Sequence, residues 1–352
     1  SSTLAVDTRP RGETPAPVIY LPLFEGWPRD YREDYDPGVP VPASAANRMA
    51  RLRHDILAKP IEDSLSDVFG QAFQRTIKDF VKHAAKKDWA RTQFQVYLNN
   101  KPKYQYSLWS LDEPFKLLDW RALNYFARLT HEALDDRALS TTQAPLDRLD
   151  RGSEPSRPTI VFRADVSRPM WQGSIADGLV DVLYLSDQAY RVPRLTQQLK
   201  SRMPSLLFNY GHPNTIDESN WKSVAWCLDA YLHEFDGVLP WQSIHGREAM
   251  SEPIQTALIV EGGDYGPAIA SLRVHALREG AQLVELLRLL QGSRNWSRNQ
   301  IAAVVHQLVP PSSRISRDRP PKTPMASSVE LDAQKFLQLK LTVLELLDPE
   351  YG

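Results

Sequence analysis

The chain has 352 residues, of which 42% are hydrophobic and 24% are charged, and its formal net charge at pH 7 is −1. This length can bury one large α/β core or two smaller ones. The near-neutral charge, with no dominant block of Lys and Arg, argues against binding to nucleic acid, which needs a basic surface.

The N-terminal residues 1–16 are polar and rich in proline, which predicts an unstructured lead-in or a linker. They lack the apolar centre of a signal peptide, and no run in the chain approaches the ~18 apolar residues of a membrane span. We therefore expect no membrane span. The expected compartment is the cytoplasm, or an extracellular or periplasmic one if a targeting segment has been removed.

Six short runs rich in β-branched and aromatic residues predict buried strands. They cover 18–24, 92–99, 159–163, 181–185, 205–209 and 237–241. Apolar residues at helical spacing predict helices at 64–84, 119–134, 192–202 and 219–234. Short buried strands that alternate with helices are typical of a parallel sheet with helices outside it.

Residues able to do chemistry follow every predicted strand. They are Glu25, Trp27, Asn99, Asn100, Asp165, Asp187, Tyr210, His212, Trp241 and Gln242. Functional residues at the ends of many strands favour a barrel, whereas an open sheet concentrates its functional residues at one switch point. No Gly-x-Gly-x-x-Gly or Walker pattern follows a strand, which disfavours a nucleotide-binding fold.

The predicted fold is therefore an α/β protein, a (β/α)8 TIM-like barrel over residues 17–310. With six candidate strands it lacks its first strands, so we expect a segment upstream in the same protein to complete it. Two further helices are predicted at 269–290 and 297–308. Residues 311–326 form a predicted linker, and 327–352 a final helix that packs on the barrel, introduced by a capping-box pattern at Ser327 and Glu330.

The stretch YSLWSLDEPFKLLDW, residues 106–120, carries the adjacent carboxylates Asp112 and Glu113 among large apolar neighbours. Neighbouring acids that point in different directions can differ in pKa, so that one acts as a general acid while the other stays ionised. The alternative is structural: Asp112 caps a turn, Glu113 faces water and Pro114 starts a helix. These residues alone favour neither interpretation.

The single cysteine, Cys227, excludes an internal disulfide framework and a zinc site built on cysteines. Its apolar neighbours, AWCLDAYL, predict a buried thiol rather than a nucleophile. No cluster of His, Asp and Glu has the spacing of metal ligands, so neither a metal nor a cofactor is predicted.

Two segments resemble a known family. GVLPWQS at 237–243 and EGGDYGPAIASLRVHALREG at 261–280 are similar to the C-terminal signature of a large bacterial family of glycosidase-like proteins, domain of unknown function 4091. That family is similar to the catalytic barrel of glycoside hydrolase family 123, the β-N-acetylgalactosaminidases. Trp109–Pro114 matches its Asp-Glu pair and Phe208–Tyr210 its tyrosine-bearing strand, so the resemblance spans about residues 17–290.

The resemblance implies a retaining β-N-acetylhexosaminidase that acts on an oligosaccharide or polysaccharide. In such enzymes the 2-acetamido group of the sugar attacks its own anomeric carbon, one of the exceptions to the scheme of two opposed carboxylates. Glu113 would protonate the glycosidic oxygen and later activate water, Asp112 would orient the acetamido nitrogen, and Tyr210 would bind the acetamido oxygen.

Further substrate-binding candidates are aromatic or polar. Trp27, Trp171 and Trp241 offer faces on which a sugar can stack, and Trp109 is a candidate to desolvate Glu113. Asn99 and His212 offer hydrogen bonds; for the tryptophans other than Trp241, and for His212, a structural role is the stronger expectation.

Two other functions stay open. The chain could be a glycosidase for a sugar without an acetamido group, in which case Glu25, Asp165 or Asp187 would serve as the second carboxylate. It could also be a non-catalytic carbohydrate-binding or scaffold domain of a larger assembly.

Overall fold

A computed structural model describes most of the chain, in twelve ranges. They are residues 18–23, 26–43, 47–87, 89–90, 92–99, 108–134, 159–166, 179–186, 206–211, 215–252, 256–310 and 332–348. The described residues fall into two compact units, an N-terminal unit mainly within Ser2–Leu185 and a C-terminal unit mainly within Phe208–Gly352.

Nine strands are found within the described ranges. The large sheet contains β1 (Val18–Leu23), β2 (Gln93–Leu98), β3 (Thr159–Val166), β4 (Val182–Ser186), β5 (Leu206–Gly211) and β6 (Gly237–Pro240), in that order. The small sheet contains β7 (Ile244–His245), β8 (Ile259–Glu261) and β9 (Ala268–Ala270). Each of the six predicted strands is present, shifted by at most three residues at either end.

The predicted (β/α)8 TIM-like barrel is wrong. Across the described ranges the large sheet has six strands, and its order runs from β1 at one edge to β6 at the other without a pairing that joins them. The small sheet is separate, and β8 and β9 are antiparallel. The prediction failed because the carboxyl ends of parallel strands meet at one edge of a sheet whether or not the sheet closes.

Eight α-helices lie in the described part of the chain. They are α1 (Tyr31–Asp34), α2 (Arg48–Leu57), α3 (Asp67–Lys86), α4 (Leu117–Leu134), α5 (Trp221–Leu232), α6 (Leu272–Ser293), α7 (Arg298–Leu308) and α8 (Ala333–Leu347). Short 3₁₀ helices cover Ile61–Asp63, Arg247–Met250 and Gly263–Tyr265. No helix among the described residues has both the length and the apolar composition to cross a bilayer.

Several predicted segments cannot be compared with the structure. The helix at 192–202, the lead-in at 1–16 and the linker at 311–326 lie outside the described residues. The domain boundaries therefore stay predictions.

In the N-terminal unit, α3 and α4 cover the apolar face of the sheet. The Ser66 hydroxyl accepts the backbone N–H of Phe69 and so caps α3, whose apolar residues then recur on one side. The Phe73 ring of α3 lies 5.5 Å from that of Phe126 in α4, and Phe80 lies 5.0 Å from Phe94 in β2. This packing leaves the other face of the sheet to polar residues.

In the C-terminal unit, four helices share one apolar core. The capping box of Ser297 and Gln300 starts α7. In α8 the ring of Phe336 stacks on Trp221 of α5, with centroids 5.1 Å apart. Cys227 of α5 is buried, which confirms the prediction of a buried thiol, and burial raises the pKa of that thiol to about 12.

Candidate active site

Polar side chains of β2, β3 and β4 share one face of the sheet in the N-terminal unit. Tyr97 of β2 lies opposite Arg163 of β3, and Asp165 of β3 lies opposite Tyr184 of β4. Since side chains alternate along a strand, Gln95 lies on the same face as Tyr97. Gln95, Arg163 and Asp165 are each at most 4% exposed, so this polar face is also a buried one.

The turn that carries Asp112 and Glu113 is clamped at both ends by Asp119, the third residue of α4. The Asp119 carboxylate accepts the backbone N–H of Ser110 at 2.9 Å, of Lys116 at 3.0 Å and of Phe115 at 3.3 Å. Burial raises the pKa of Asp119, while these N–H donors oppose the shift. Asp119 therefore has a structural role that fixes the shape of the turn.

Glu113 is held in an unusual backbone conformation. Its φ is +61°, in the left-handed region that residues other than glycine rarely adopt. Its N–H donates to the carbonyl oxygen of Asp165 at 3.0 Å, and the Ser110 hydroxyl lies 2.8 Å from the carbonyl oxygen of Asp112 and 3.2 Å from that of Glu113. Conformations of this kind persist only where the surroundings enforce them, and they cluster at functional sites.

The two adjacent acids have different surroundings. Asp112 is 6% exposed and its carboxylate is hydrogen-bonded to the hydroxyl of Tyr97, whereas the Glu113 side chain is half-buried. Burial raises the pKa of Tyr97, and the nearby carboxylates of Asp165 and Asp112 raise it further. Tyr97 therefore stays protonated and donates its hydrogen bond to Asp112.

Arg163 organises the floor beneath the turn. Its guanidinium donates two hydrogen bonds of 2.7 Å to the Asp165 carboxylate and a third of 3.3 Å to Oε1 of Gln95. It lies between the rings of Tyr97 and Tyr184, 4.3 Å and 4.0 Å from their centroids. Burial opposes its charge, but the Asp165 carboxylate outweighs burial and raises the pKa of Arg163. Asp165 is thereby fixed, and its carbonyl oxygen offers Glu113 a rigid anchor.

The structure brings some of the predicted site residues together. Asp112, Glu113 and Asp165 meet at the carboxyl ends of β2 and β3. Trp109 instead lies in the aromatic core, 2% exposed, with its ring 5.3 Å from Tyr35 and 5.7 Å from Tyr31. It supports the turn from behind and has no free face for a sugar.

The other predicted residues lie elsewhere. Trp27, 39% exposed, and Asn99, also exposed, follow β1 and β2 in the N-terminal unit. Tyr210 in β5 and Trp241 after β6, the latter 47% exposed, belong to the C-terminal unit. A last group lies outside the described residues: Glu25, Trp171, Asp187 and His212.

Sequence reasoning missed several residues of the polar face. They are Gln95, Tyr97, Asp119, Arg163 and Tyr184. A signal was present, because QFQVYL at 93–98 alternates polar and apolar residues and RAD at 163–165 does the same. In a strand with one apolar face, such alternation assigns the polar residues to the other face.

No metal centre is visible at this site. Within the described ranges, no group of three or more His, Cys, Asp and Glu side chains could hold a metal ion. The polar groups on the sheet bind one another, and Asp112 and Glu113 lie above them.

Comparisons with known proteins add little to this geometry. No protein family matches the chain, and no curated protein matches it. Among solved structures, a family 123 glycoside hydrolase from Clostridium perfringens, analysed for glycolipid glycan hydrolysis, is similar with 12% identity and a TM-score of 0.46. The match covers 80% of this chain and 46% of that one, so the chain spans about half of that enzyme. A likeness at this TM-score carries no argument about activity.

Proposed function

We propose that the chain is a glycoside hydrolase whose reaction takes place at the turn of Asp112 and Glu113. The observation that carries this proposal is the contrast between the two acids: Asp112 is 6% exposed and bound by Tyr97, while Glu113 is half-buried and anchored to β3. Two carboxyl groups in unlike surroundings are the acid and base arrangement by which glycosidases cleave their substrates.

The proposed reaction is substrate-assisted, on a 2-acetamido sugar. Glu113 gives its proton to the glycosidic oxygen as the bond from that oxygen to the anomeric carbon breaks, and the acetamido oxygen forms the new bond to that carbon. The Asp112 carboxylate, oriented by Tyr97, accepts the acetamido N–H and stabilises the positive charge of the cyclic intermediate. Glu113 then removes a proton from water, which opens the intermediate with retention and restores Glu113.

The fixed position of Asp165 disfavours this residue as the second carboxylate of a mechanism with two opposed acids. That mechanism needs a second acid free to attack the sugar or to activate water. Both oxygens of Asp165 accept hydrogen bonds from Arg163, and the residue is 4% exposed. Asp165 is therefore assigned a positioning role.

The test is hydrolysis of aryl N-acetyl-β-galactosaminide and N-acetyl-β-glucosaminide by the full chain. We expect Glu113→Gln and Asp112→Asn each to lower kcat by about 10²- to 10⁴-fold. Azide should restore turnover to Glu113→Gln on a substrate with a good leaving group, since it replaces the water that needs a base. Glu33→Gln, an exposed residue of α1, is the matched control and should keep full activity.

Two outcomes would reject the proposal in different ways. Activity on aryl glycosides without the acetamido group, together with none on those that carry it, would exclude the substrate-assisted reaction. A chain that binds oligosaccharides but hydrolyses neither set would be a binding domain.

A further inference from the structure

Helix α2 in the N-terminal unit presents an apolar stripe to solvent. Met49 is 72% exposed, Leu52 48% and Ile56 69%. Their spacing of three and four residues places them on one side of the helix. Of the ten residues of α2, His54 is the one that is buried. The helix therefore reverses the usual arrangement, in which the apolar side faces the core.

Arginines flank this stripe. Arg48 and Arg53 are exposed, and neither forms an ion pair within the described part of the chain. The helix sequence RMARLRHDIL has three arginines and one acid, although the whole chain has a net charge of −1. That acid, Asp55, is already paired with Lys116. The surface of α2 is thus both apolar and basic.

A further pair of exposed apolar residues flanks Lys116, which is paired with Asp55 of α2. The pair of Lys116 and Asp55 joins α2 to the start of α4, where Phe115 is 53% exposed and Leu117 55%. Arg51 strengthens the junction by donating a hydrogen bond of 2.8 Å to the carbonyl oxygen of Leu108. Three large apolar side chains exposed along one side of a helix mark an interaction surface rather than ordinary solvent-facing residues.

We propose that this surface docks onto an anionic lipid bilayer. A short amphipathic helix that lies in the membrane interface buries its apolar side at the acyl boundary and places its cations among the anionic headgroups. The apolar side would be formed by Met49, Leu52 and Ile56. The cations that attract the anionic headgroups would be Arg48 and Arg53. Stable attachment to a membrane needs apolar burial together with electrostatic attraction, and α2 carries the residues for each.

Charge favours a bilayer over a second copy of the chain. Two copies paired through α2 would bring Arg48 and Arg53 of both copies together, and like charges at such an interface are costly. A bilayer with anionic lipids supplies the opposite charge. The inference does not depend on the proposed chemistry, because none of the residues that form the stripe takes part in the reaction.

The test is co-sedimentation of the full chain with vesicles. One set contains equal parts of phosphatidylcholine and phosphatidylglycerol, and the other contains phosphatidylcholine alone. We expect binding to the first set only, weakened by salt. Arg48→Ser with Arg53→Ser should weaken binding about fivefold for each arginine. The triple variant Met49→Ser, Leu52→Ser, Ile56→Ser should weaken it at least about tenfold.

Matched variants control for loss of exposed apolar area and of charge. Leu337→Ser, Leu341→Ser and Leu344→Ser remove three exposed leucines from α8, and Arg75→Ser with Lys78→Ser removes two exposed cations from α3. Both should bind like the unmodified chain. Equal binding to the two sets of vesicles, or unchanged binding by the α2 variants, would overturn the proposal. So would a dimer that the triple variant converts to a monomer in analytical ultracentrifugation, since the stripe would then join two copies.

Discussion

At the scale of single residues, Tyr97 joins the two parts of the candidate site. Its hydroxyl is bonded to Asp112, and its ring lies 4.3 Å from the Arg163 guanidinium. Tyr97→Phe keeps the ring and removes the hydrogen bond. A hydrogen bond to a charged group contributes about 1.5–3 kcal/mol, so we expect kcat on the acetamido substrate to fall about ten- to hundredfold, with a smaller change in KM.

Tyr20→Phe provides the control for this prediction. Tyr20 lies in β1 with its ring 5.9 Å from that of Tyr97, so it has the same kind of neighbourhood without the bond to Asp112. The Tyr20→Phe variant should keep the kcat of the unmodified chain. If both variants lose kcat equally, packing of the rings rather than the Tyr97 hydroxyl supports the site. If neither variant loses kcat, the Tyr97 hydroxyl does not position Asp112.

At the scale of elements, α5 and α6 pack so closely that one glycine decides their separation. A Cβ at Gly280 would lie 2.9 Å from Cβ of Cys227 and 3.1 Å from the Cα of Val224, both on α5. Gly280→Ala must therefore push the helices apart, and we expect it to lower the free energy of unfolding by about 1–3 kcal/mol. Urea denaturation measures this change.

Gly292, in the same helix, is the matched control. A Cβ there would meet nothing within 4 Å. Gly292→Ala should raise the free energy of unfolding by about 0.5–1 kcal/mol, because alanine loses less backbone entropy on folding and favours helix. A shift of the same sign in both variants would show that helix propensity, not contact with α5, governs position 280.

Long, periodic elements were predictable from the sequence, and short ones were not. The helix predicted at 64–84 is α3 at Asp67–Lys86, because its apolar residues must face the core. Strands β7 to β9 have two or three residues each, too few to show any period. Helix α2 was not predicted, although Met49, Leu52 and Ile56 recur at helical spacing. That spacing cannot show that its apolar side faces solvent rather than the core.

At the scale of the whole molecule, local sequence patterns predicted the strands but not whether the sheet closes into a barrel. Strand β2 has the expected place and length, yet whether the sheet closes depends on pairing between residues far apart in sequence. The candidate site likewise has residues that local sequence identifies and residues whose roles depend on distant strand pairing. Asp112 and Glu113 stand out as adjacent acids, whereas the roles of Arg163 and Tyr97 depend on the register that sets their strands opposite each other.

Three partly or fully desolvated histidines make the stability of the molecule sensitive to acid. Burial lowers the pKa of His54, His233 and His306 below the ordinary value of 6.5, and His233 lowers that of His306 further. The folded chain therefore binds fewer protons than the unfolded chain below that value. The stability that the neutral imidazoles contribute is complete above pH 6.5 and is lost as the pH falls through the lowered values. Asp119 has the opposite effect on stability. Because its pKa is raised in the folded chain, its protonation stabilises the fold as the pH falls, but it is one group against three histidines.

We accordingly expect the free energy of unfolding in urea to fall as the pH is lowered from about 7.5 to about 5, with buried His54 contributing at most about 1.4 kcal/mol per pH unit. His54 is 1% exposed, so His54→Gln should flatten this slope even if it lowers stability at neutral pH. His275→Gln, at an exposed position of α6, should leave the slope unchanged. A slope that persists undiminished in His54→Gln would mean that His54 is protonated in the folded chain without cost, and that its burial does not resist its charge.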